Sequence, residues 1–327
     1  MLSRSAQGLY WLGRYLERTG HLCRLLRLQT EALVDRPLQE IHFGWSRIYS
    51  SVNRQPPVGS LELPGDDYAL ADEFTLADSY TLADDLTFER TNPASVWNCL
   101  SLGRENARQV RHCISAEMWT ALNLSYLRIQ KLAIQDIWAA SPESFYAETA
   151  AEIDTFAGVA AATMYRDDGW RFMQLGQCIE RAQLMVALLL AQLTAAGMSE
   201  ESADADWASL LRAYHAFEVY NRRYSVEVQP GQVLDLLATD PLLPGSLCRS
   251  IDMAAVELTA IGPGPNDRSS GATQRLASRL GALIHYDWPD REDHEGLLRE
   301  VDEHCRELHR LVTVTYFDYP IEDFPKH

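Results

Sequence analysis

Lysine is almost missing from this chain. Lys131 and Lys326 are the only two in 327 residues, so arginine carries nearly all of the positive charge. Arginine presents a planar fork that pairs with carboxylates and phosphates through two hydrogen bonds at once. Positive charge is scarce overall: 29 Lys and Arg stand against 46 Asp and Glu, giving a net charge of −17 and a pI near 4.9. Such a surface repels polyanions, which excludes general affinity for nucleic acid or for an anionic membrane. A long apolar run is missing too. The longest, Met185 to Ala191, is far too short to span a bilayer. The arginines near the start lie in an amphipathic stretch, not beside a signal-peptide core. Six cysteines (Cys23, Cys99, Cys113, Cys178, Cys248, Cys305) are scattered, and no CxxC pair occurs. Most sit in apolar helical patterns, which predicts reduced, buried thiols and a cytoplasmic protein.

Several chemical signatures are also absent. No histidine has a carboxylate three residues before it, which excludes the Glu-x-x-His pairs of di-iron bundles. His304, Cys305 and His309 read as one polar helix face, not as a ligand set. There is no P-loop, dinucleotide fingerprint or nucleophile elbow, so the chain has no recognisable ATP site of its own. Neither a metal nor a cofactor is expected.

What is present begins with MLSRSAQGLYWLGRYLERTGHLCRLLR, Met1 to Arg27. Ser3 or Ser5 is the expected N-cap. Leu9, Leu12, Leu16, Cys23 and Leu26 recur at helical spacing. Arg14, Glu17, Arg18, His21 and Arg24 form a second stripe. Glu17 and Arg18 point about 100° apart on a helix and cannot pair with each other, so each needs a partner on another element. The motif recurs in DGWRFMQLGQCIERAQLMVALLLAQ, Asp168 to Gln192. There Glu180-Arg181 falls on Glu17-Arg18 at an offset of 163 residues, half the chain. Trp45 and Trp207 each lie in a helical stretch at an offset of 162. Pro93-Ala94-Ser95 and Pro244-Gly245-Ser246 each end one element and cap the next.

Between these repeats lies a hexad run, LADEFT-LADSYT-LADDLT, Leu70 to Thr87. Neither lysine nor arginine occurs from Pro56 to Glu89. The run predicts an exposed acidic insertion over 61–85. Helices are expected over Ser95–Ala116, Glu117–Ala139, Ser141–Tyr165, Gly245–Ile261, Asp267–Ile284 and Asp290–Tyr316. No βαβ pattern appears. The fold class is therefore all-α: one domain, 1–327, a helical bundle built from two half-chain repeats, 1–165 and 166–327, related by a pseudo-twofold axis.

Three of these stretches are similar to a known family. MLSR-x-A-x-x-LYWLGRYLER, LGRENARQVRHCISAEMWTALN (Leu102 to Asn123) and DGWRFMQLGQCIERA (Asp168 to Ala182) resemble the alpha-E family, all-helical bacterial proteins named for a Glu-Arg motif. The resemblance covers essentially the whole chain. It departs at Pro244-Gly245-Ser246, where the family usually shows Pro-Arg-Ser, and at Gln177, which stands where Arg14 stands in the first copy. The resemblance implies association with a circularly permuted ATP-grasp protein, encoded beside it or fused to it. ATP-grasp enzymes join a carboxylate to an amine through an acyl phosphate, so it also implies synthesis or modification of a peptide-like amide.

The charged residues of these motifs are the site candidates: Arg14, Glu17, Arg18, Arg104, Glu105, Arg108, Arg111, Glu117, Asn123, Glu180 and Arg181. They allow reciprocal interhelical salt bridges, or an arginine-lined cleft for a carboxylate or acyl phosphate. Arg104, Arg108 and Arg111 share one helix face with an excess of positive charge and are expected to line that cleft. Two functions stay open: an accessory partner of an ATP-grasp amide or peptide ligase that binds an anionic, peptide-like substrate, or an enzyme that itself transfers or modifies an acyl or peptide group. No nucleic-acid or membrane partner is expected, and a homo-oligomer stays open.

Overall fold

The first helix, α1 (Ser3–Ala32), buries its apolar stripe and most of its charged one. Leu9, Leu12, Leu16, Cys23 and Leu26 are enclosed, and so are Tyr10, Arg14, Glu17 and His21 on other faces. A helix covered on all sides lies at the centre of its domain. In the computed structural model, which describes residues 2–61, 68–194, 200–264 and 271–317, α1 packs most extensively on α8 (Asp168–Leu193). Side chains in the helices that begin at residues 68 and 200 are described from 76 and 206 onward.

Around this pair the chain is all-helical, with no strand among the described residues. The remaining helices are α2 (Leu38–Ser51), α3 (Tyr68–Thr87), α4 (Val96–Gln109), α5 (Ala116–Ile129), α6 (Ile134–Trp138) and α7 (Pro142–Thr163), followed by α9 (Glu200–Ala213), α10 (Phe217–Arg223), α11 (Pro230–Thr239), α12 (Leu247–Ile261), α13 (Ala272–Ala282) and α14 (His294–Val312). α4 and α7 cover the other sides of α1, while α12, α14 and α2 cover α8. No described helix is long and apolar enough to cross a membrane.

The Pro-small-Ser turns act as expected. Ser95 accepts from the Asn98 amide, and Ser246 from the Arg249 amide. These bonds satisfy orphan donors at the starts of α4 and α12. Ser141 caps α7 in the same way, with Pro142 at its first position.

Three expectations are corrected. Neither Ser3 nor Ser5 caps α1: Leu2 is the cap residue, and the Ser5 hydroxyl instead meets His112 at 3.3 Å. The long helix expected over Glu117–Ala139 ends at Ile129 and resumes as α6, where Asp136 captures the Ala133 amide at 2.9 Å. The acidic run is also not simply an exposed insertion. It forms α3, and Ser79, Leu82, Ala83 and Leu86 are buried in the core. They follow an i, i+3, i+4, i+7 pattern that a six-residue repeat conceals, because a hexad drifts around a 3.6-residue helix. The Trp45 indole donates to Ser79, and the Tyr49 hydroxyl to Asp85, tying the helix to α2. The start of that expected insertion, residues 62–67, lies outside the described residues.

Glycine sets how closely α1 and α8 approach. A Cβ on Gly13 would lie 2.2 Å from the Met173 carbonyl oxygen, and one on Gly176 would lie 2.0 Å from the Tyr10 carbonyl oxygen. Both obstacles are backbone, so neither can move aside without separating the helices. Gly158, inside α7, has nothing within 4 Å of its Cβ position. Gly176→Ala is therefore expected to cost about 1–3 kcal/mol or more through overpacking. Gly158→Ala should be neutral or stabilise by up to about 1 kcal/mol. Urea unfolding of the two variants beside the wild type measures this contrast.

Candidate functional site

Each Glu-Arg motif faces the other helix of the central pair, and the contacts exchange across it. The Arg181 guanidinium grips Glu17 with Nε at 2.9 Å from Oε1 and Nη2 at 2.6 Å from Oε2. Arg18 donates through Nε to Glu180 at 2.6 Å. The positions four residues earlier exchange as well. Arg14 donates to Glu180 at 2.6 Å, and Gln177 donates to Glu17 at 3.0 Å. Each carboxylate thus receives two side chains from the opposite helix, which satisfies the need that adjacent Glu and Arg residues create on one helix.

Both carboxylates are buried, Glu17 at 6% and Glu180 at 1% exposure. Burial by itself pushes their pKa values up. For Glu17, the charge and hydrogen bonds of Arg181, with Arg24 and Gln177, outweigh it and hold the carboxyl at about 2. Arg14 and Arg18 likewise hold Glu180 below the ordinary value. The two sides differ beyond that. Arg14 also donates to the Tyr10 hydroxyl at 3.1 Å and to Gln183 at 2.6 Å, and Tyr10 meets His309 Nδ1 at 2.8 Å. That side is filled by aromatic rings: the Arg14 guanidinium lies 5.2 Å from the Trp11 ring centroid, and the His309 ring lies parallel to Tyr10, edge to edge with it through that hydrogen bond.

The Glu17 side is open. A cavity of about 280 Å³ lies between α1, α7, α8 and the end of α9, lined by Glu17, Arg24, Asp154, Arg181, Tyr214 and His215 among others. A second hollow of about 190 Å³ shares Arg24, Asp154 and His215 with it and adds Arg27 and Arg212. Together the two hollows present four arginines against two carboxylates. Arg24 reaches Glu17 only at 3.8 Å, beyond hydrogen-bond length. His215 is exposed and adopts the left-handed region with φ 53°, an uncommon conformation for a side chain of that size. The Tyr214 hydroxyl meets His21 at 3.3 Å, and His21 meets Ser51 at 3.0 Å. Burial, with help from Arg24, lowers the His21 pKa to about 3 and keeps the ring neutral.

The structure gathers only part of the expected set here. Arg14, Glu17, Arg18, Glu180 and Arg181 meet at the α1–α8 crossing, but only Glu17 and Arg181 of these line the cavity. The arginine stripe finds partners of its own. Arg104 donates to Asn123 at 2.8 Å and lies 4.6 Å from the Tyr126 ring centroid. Arg111 lies 4.7 Å from the Trp119 ring centroid. Arg108 forms an exposed pair with Glu105 one helical turn away, and Glu117 faces solvent. The expected cleft lined by this stripe is therefore replaced by local partners, and the cavities around Glu17 contain none of the three arginines. Sequence reasoning missed Tyr214, His215 and Asp154 as site residues. Their spacing carries no motif, and they meet Arg24 only through tertiary packing.

Comparison with known proteins finds a family defined by a Glu-Arg motif. The family model described as a predicted alpha-helical domain with a conserved ER motif matches residues 1–317, and the chain belongs to that family, Alpha-E. Uncharacterized proteins from Mycobacterium bovis and Mycobacterium tuberculosis are 26% identical to it over 318 residues. The match covers 94% of this chain and 35% of each relative, so the chain spans about a third of their length. No solved structure matches it.

The buried histidines and carboxylates fix how stability depends on pH. His21, at about 3, and His309, lowered to about 4 by burial and Arg14, stay neutral in the fold, while unfolded histidine takes up a proton near pH 6.5. The unfolded state binds more protons below that pH, so stability falls as pH drops from about 6.5 toward 4. Glu17 adds a second loss as pH falls from about 4.5 toward 2, and Glu180, also held below its ordinary value, adds to it. Unfolding free energy measured from pH 8 to 3 should show both limbs, and His21→Gln should flatten the upper one. An unchanged upper slope in that variant would show that His21 is protonated in the fold.

Proposed function

We propose that this protein is an accessory partner of an ATP-grasp amide or peptide ligase, and that it holds a carboxylate or acyl-phosphate group of a peptide-like substrate in the cavity beside Glu17. The observation that carries the reading is the charge of that cavity taken together with the adjoining hollow, where Arg24, Arg181, Arg27 and Arg212 exceed Glu17 and Asp154 in a chain whose net charge is −17. A local positive hollow in an acidic protein concentrates anions there and nowhere general. Arg24, held only loosely by Glu17, is the arginine best able to turn to a ligand. Gly245, at the turn where the family resemblance leads one to expect arginine, also lines the cavity. The curated relatives carry most of their length outside the matched part, which fits a protein that works beside another catalytic unit.

The second reading, an enzyme that itself transfers or modifies an acyl group, rests on His215 beside those arginines. Glu17 supports it poorly, because a carboxyl held at about 2 is a weak base at neutral pH.

The pseudo-twofold relation between half-chains 1–165 and 166–327 belongs with this proposal. Its support is the exchange at one common offset: Glu17 with Arg181 and Glu180 with Arg18, Gly13 against Met173 and Gly176 against Tyr10. Only one of the two related sides would keep an open cavity, the other being filled by Trp11, Tyr10 and His309.

Calorimetric titration with inorganic phosphate and with a short acidic peptide tests the anion site. Arg24→Ala should weaken binding about 10–100-fold, the worth of one charged hydrogen bond, while Arg108→Ala leaves it unchanged. Product formation by the ATP-grasp protein should rise when this chain is added and should fall back with Arg24→Ala. Equal binding by Arg24→Ala and wild type would reject the site, and a ligase indifferent to this chain would reject the partnership.

A further inference from the structure

A separate cluster of polar side chains lies on α12 and the end of α13, and none of its members lines the Glu17 cavity. Cys248 and Asp252 stand one turn apart on α12, and His285 reaches them from the π-helical turn Leu283–Asp287 that extends α13. The widened turn places the ring outside the regular helical register; such insertions are frequent at functional sites. Three different ligand types converge here: Cys248 Sγ lies 3.6 Å from Asp252 Oδ2 and 3.6 Å from His285 Nε2, and His285 Nε2 lies 3.0 Å from Asp252 Oδ2. Among the described residues this is the group whose ligand atoms lie close enough together to hold one metal ion.

The size of that triangle is informative. Zinc–ligand distances of about 2.3 Å to sulfur and about 2.0–2.2 Å to nitrogen and oxygen, at tetrahedral angles, give edges of about 3.6 Å for sulfur to oxygen, about 3.6 Å for sulfur to nitrogen and about 3.4 Å for nitrogen to oxygen. Two of the three observed edges equal these values. The third is shorter by the amount expected when a direct hydrogen bond occupies the place of the ion.

We propose that Cys248, Asp252 and His285 form a zinc site with three protein ligands and one outward position. Soft sulfur, borderline imidazole and hard carboxylate together suit zinc better than calcium or magnesium, which take oxygen ligands. Cys248 is buried and supplies its sulfur from below, whereas the side chains of Asp252 and His285 are 41% and 40% exposed and give the ion a route in. The fourth position faces solvent and takes water or a donor atom from a bound molecule. Without the ion, burial and the neighbouring Asp252 push the Cys248 thiol up to about 12, so it is protonated and no nucleophile at neutral pH. Binding forms the zinc–sulfur bond and releases that thiol proton to solvent, with no change of oxidation state. The ion would tie α12 to the end of α13 and replace the His285–Asp252 hydrogen bond.

Cobalt(II) titration of the full chain, after removal of bound metal with a chelator, tests this. One equivalent should bind with a thiolate-to-cobalt charge-transfer band and the intense visible absorption of a tetrahedral ion, and zinc should displace it. Cys248→Ser should abolish the band, while Cys113→Ser keeps it. His285→Ala, at an exposed position that should not disturb folding, should weaken binding by about 100-fold or more, beyond the 10–100-fold that outer partners carry. Absence of the band in the folded wild type, its survival in Cys248→Ser, or equal affinity of His285→Ala and wild type would each overturn the proposal.

Discussion

Everything in this fold is arranged around two buried carboxylates that cannot be satisfied by their own helix. Glu17 and Glu180 sit at the crossing of α1 and α8, each enclosed and each gripped by donors from the opposite helix. A buried carboxylate without partners costs several kcal/mol, so the two helices have one register in which both are satisfied. The glycines make that register reachable. Gly13 and Gly176 bring the backbones close enough for short, direct hydrogen bonds between side chains that on wider-spaced helices would need water between them. Once α1 and α8 are locked, their remaining buried faces are mostly apolar, and α2, α4, α7, α12 and α14 cover them.

The same constraint produces the cavity. Arg14 and Gln177 hold equivalent places relative to the two carboxylates, but arginine fills its side and reaches Tyr10, Gln183 and Glu180 together. Glutamine is shorter and uncharged, and it reaches Glu17 alone among the charged groups of the crossing. The room left over is the hollow where Arg24, Tyr214 and His215 gather. The Arg14–Gln177 difference, with Tyr10 and Trp11 standing where the second motif has Met173 and Gln174, thus accompanies a closed, aromatic side and an open, arginine-rich one.

Much of this was legible in the residues themselves. Adjacent Glu and Arg on a helix demand partners elsewhere, and the repeat at a constant offset offered the second Glu-Arg copy as one source of them, with an arginine-lined cleft as the other reading. The caps at Ser95, Ser141 and Ser246 and the all-helical class followed from local chemistry. Beyond the α1 cap and the break after Ile129, two readings failed for physical reasons. The acidic hexads looked solvated because composition was weighed before helical phase, yet Leu82 and Leu86 lie on the core face. Arg104, Arg108 and Arg111 looked like a cleft because Asn123 was read as a further site residue and not as the partner of Arg104, while Trp119 and Tyr126, which stand with it on α5, meet the arginines only after folding. The Cys248, Asp252 and His285 group was invisible for the same reason: His285 is far along the chain and carries no spacing motif.

The claim that the exchanged Glu-Arg contacts hold the two central helices in register is open to one direct measurement, a double-mutant cycle on Glu17 and Arg181 by urea unfolding. Arg181→Met alone leaves a buried carboxylate without its main partner and should cost about 3–5 kcal/mol. Adding Glu17→Gln removes the stranded charge, so the double variant should regain much of that loss. The account predicts that the two changes are far from additive. Additive effects, with each single change costing less than about 0.5 kcal/mol, would contradict it.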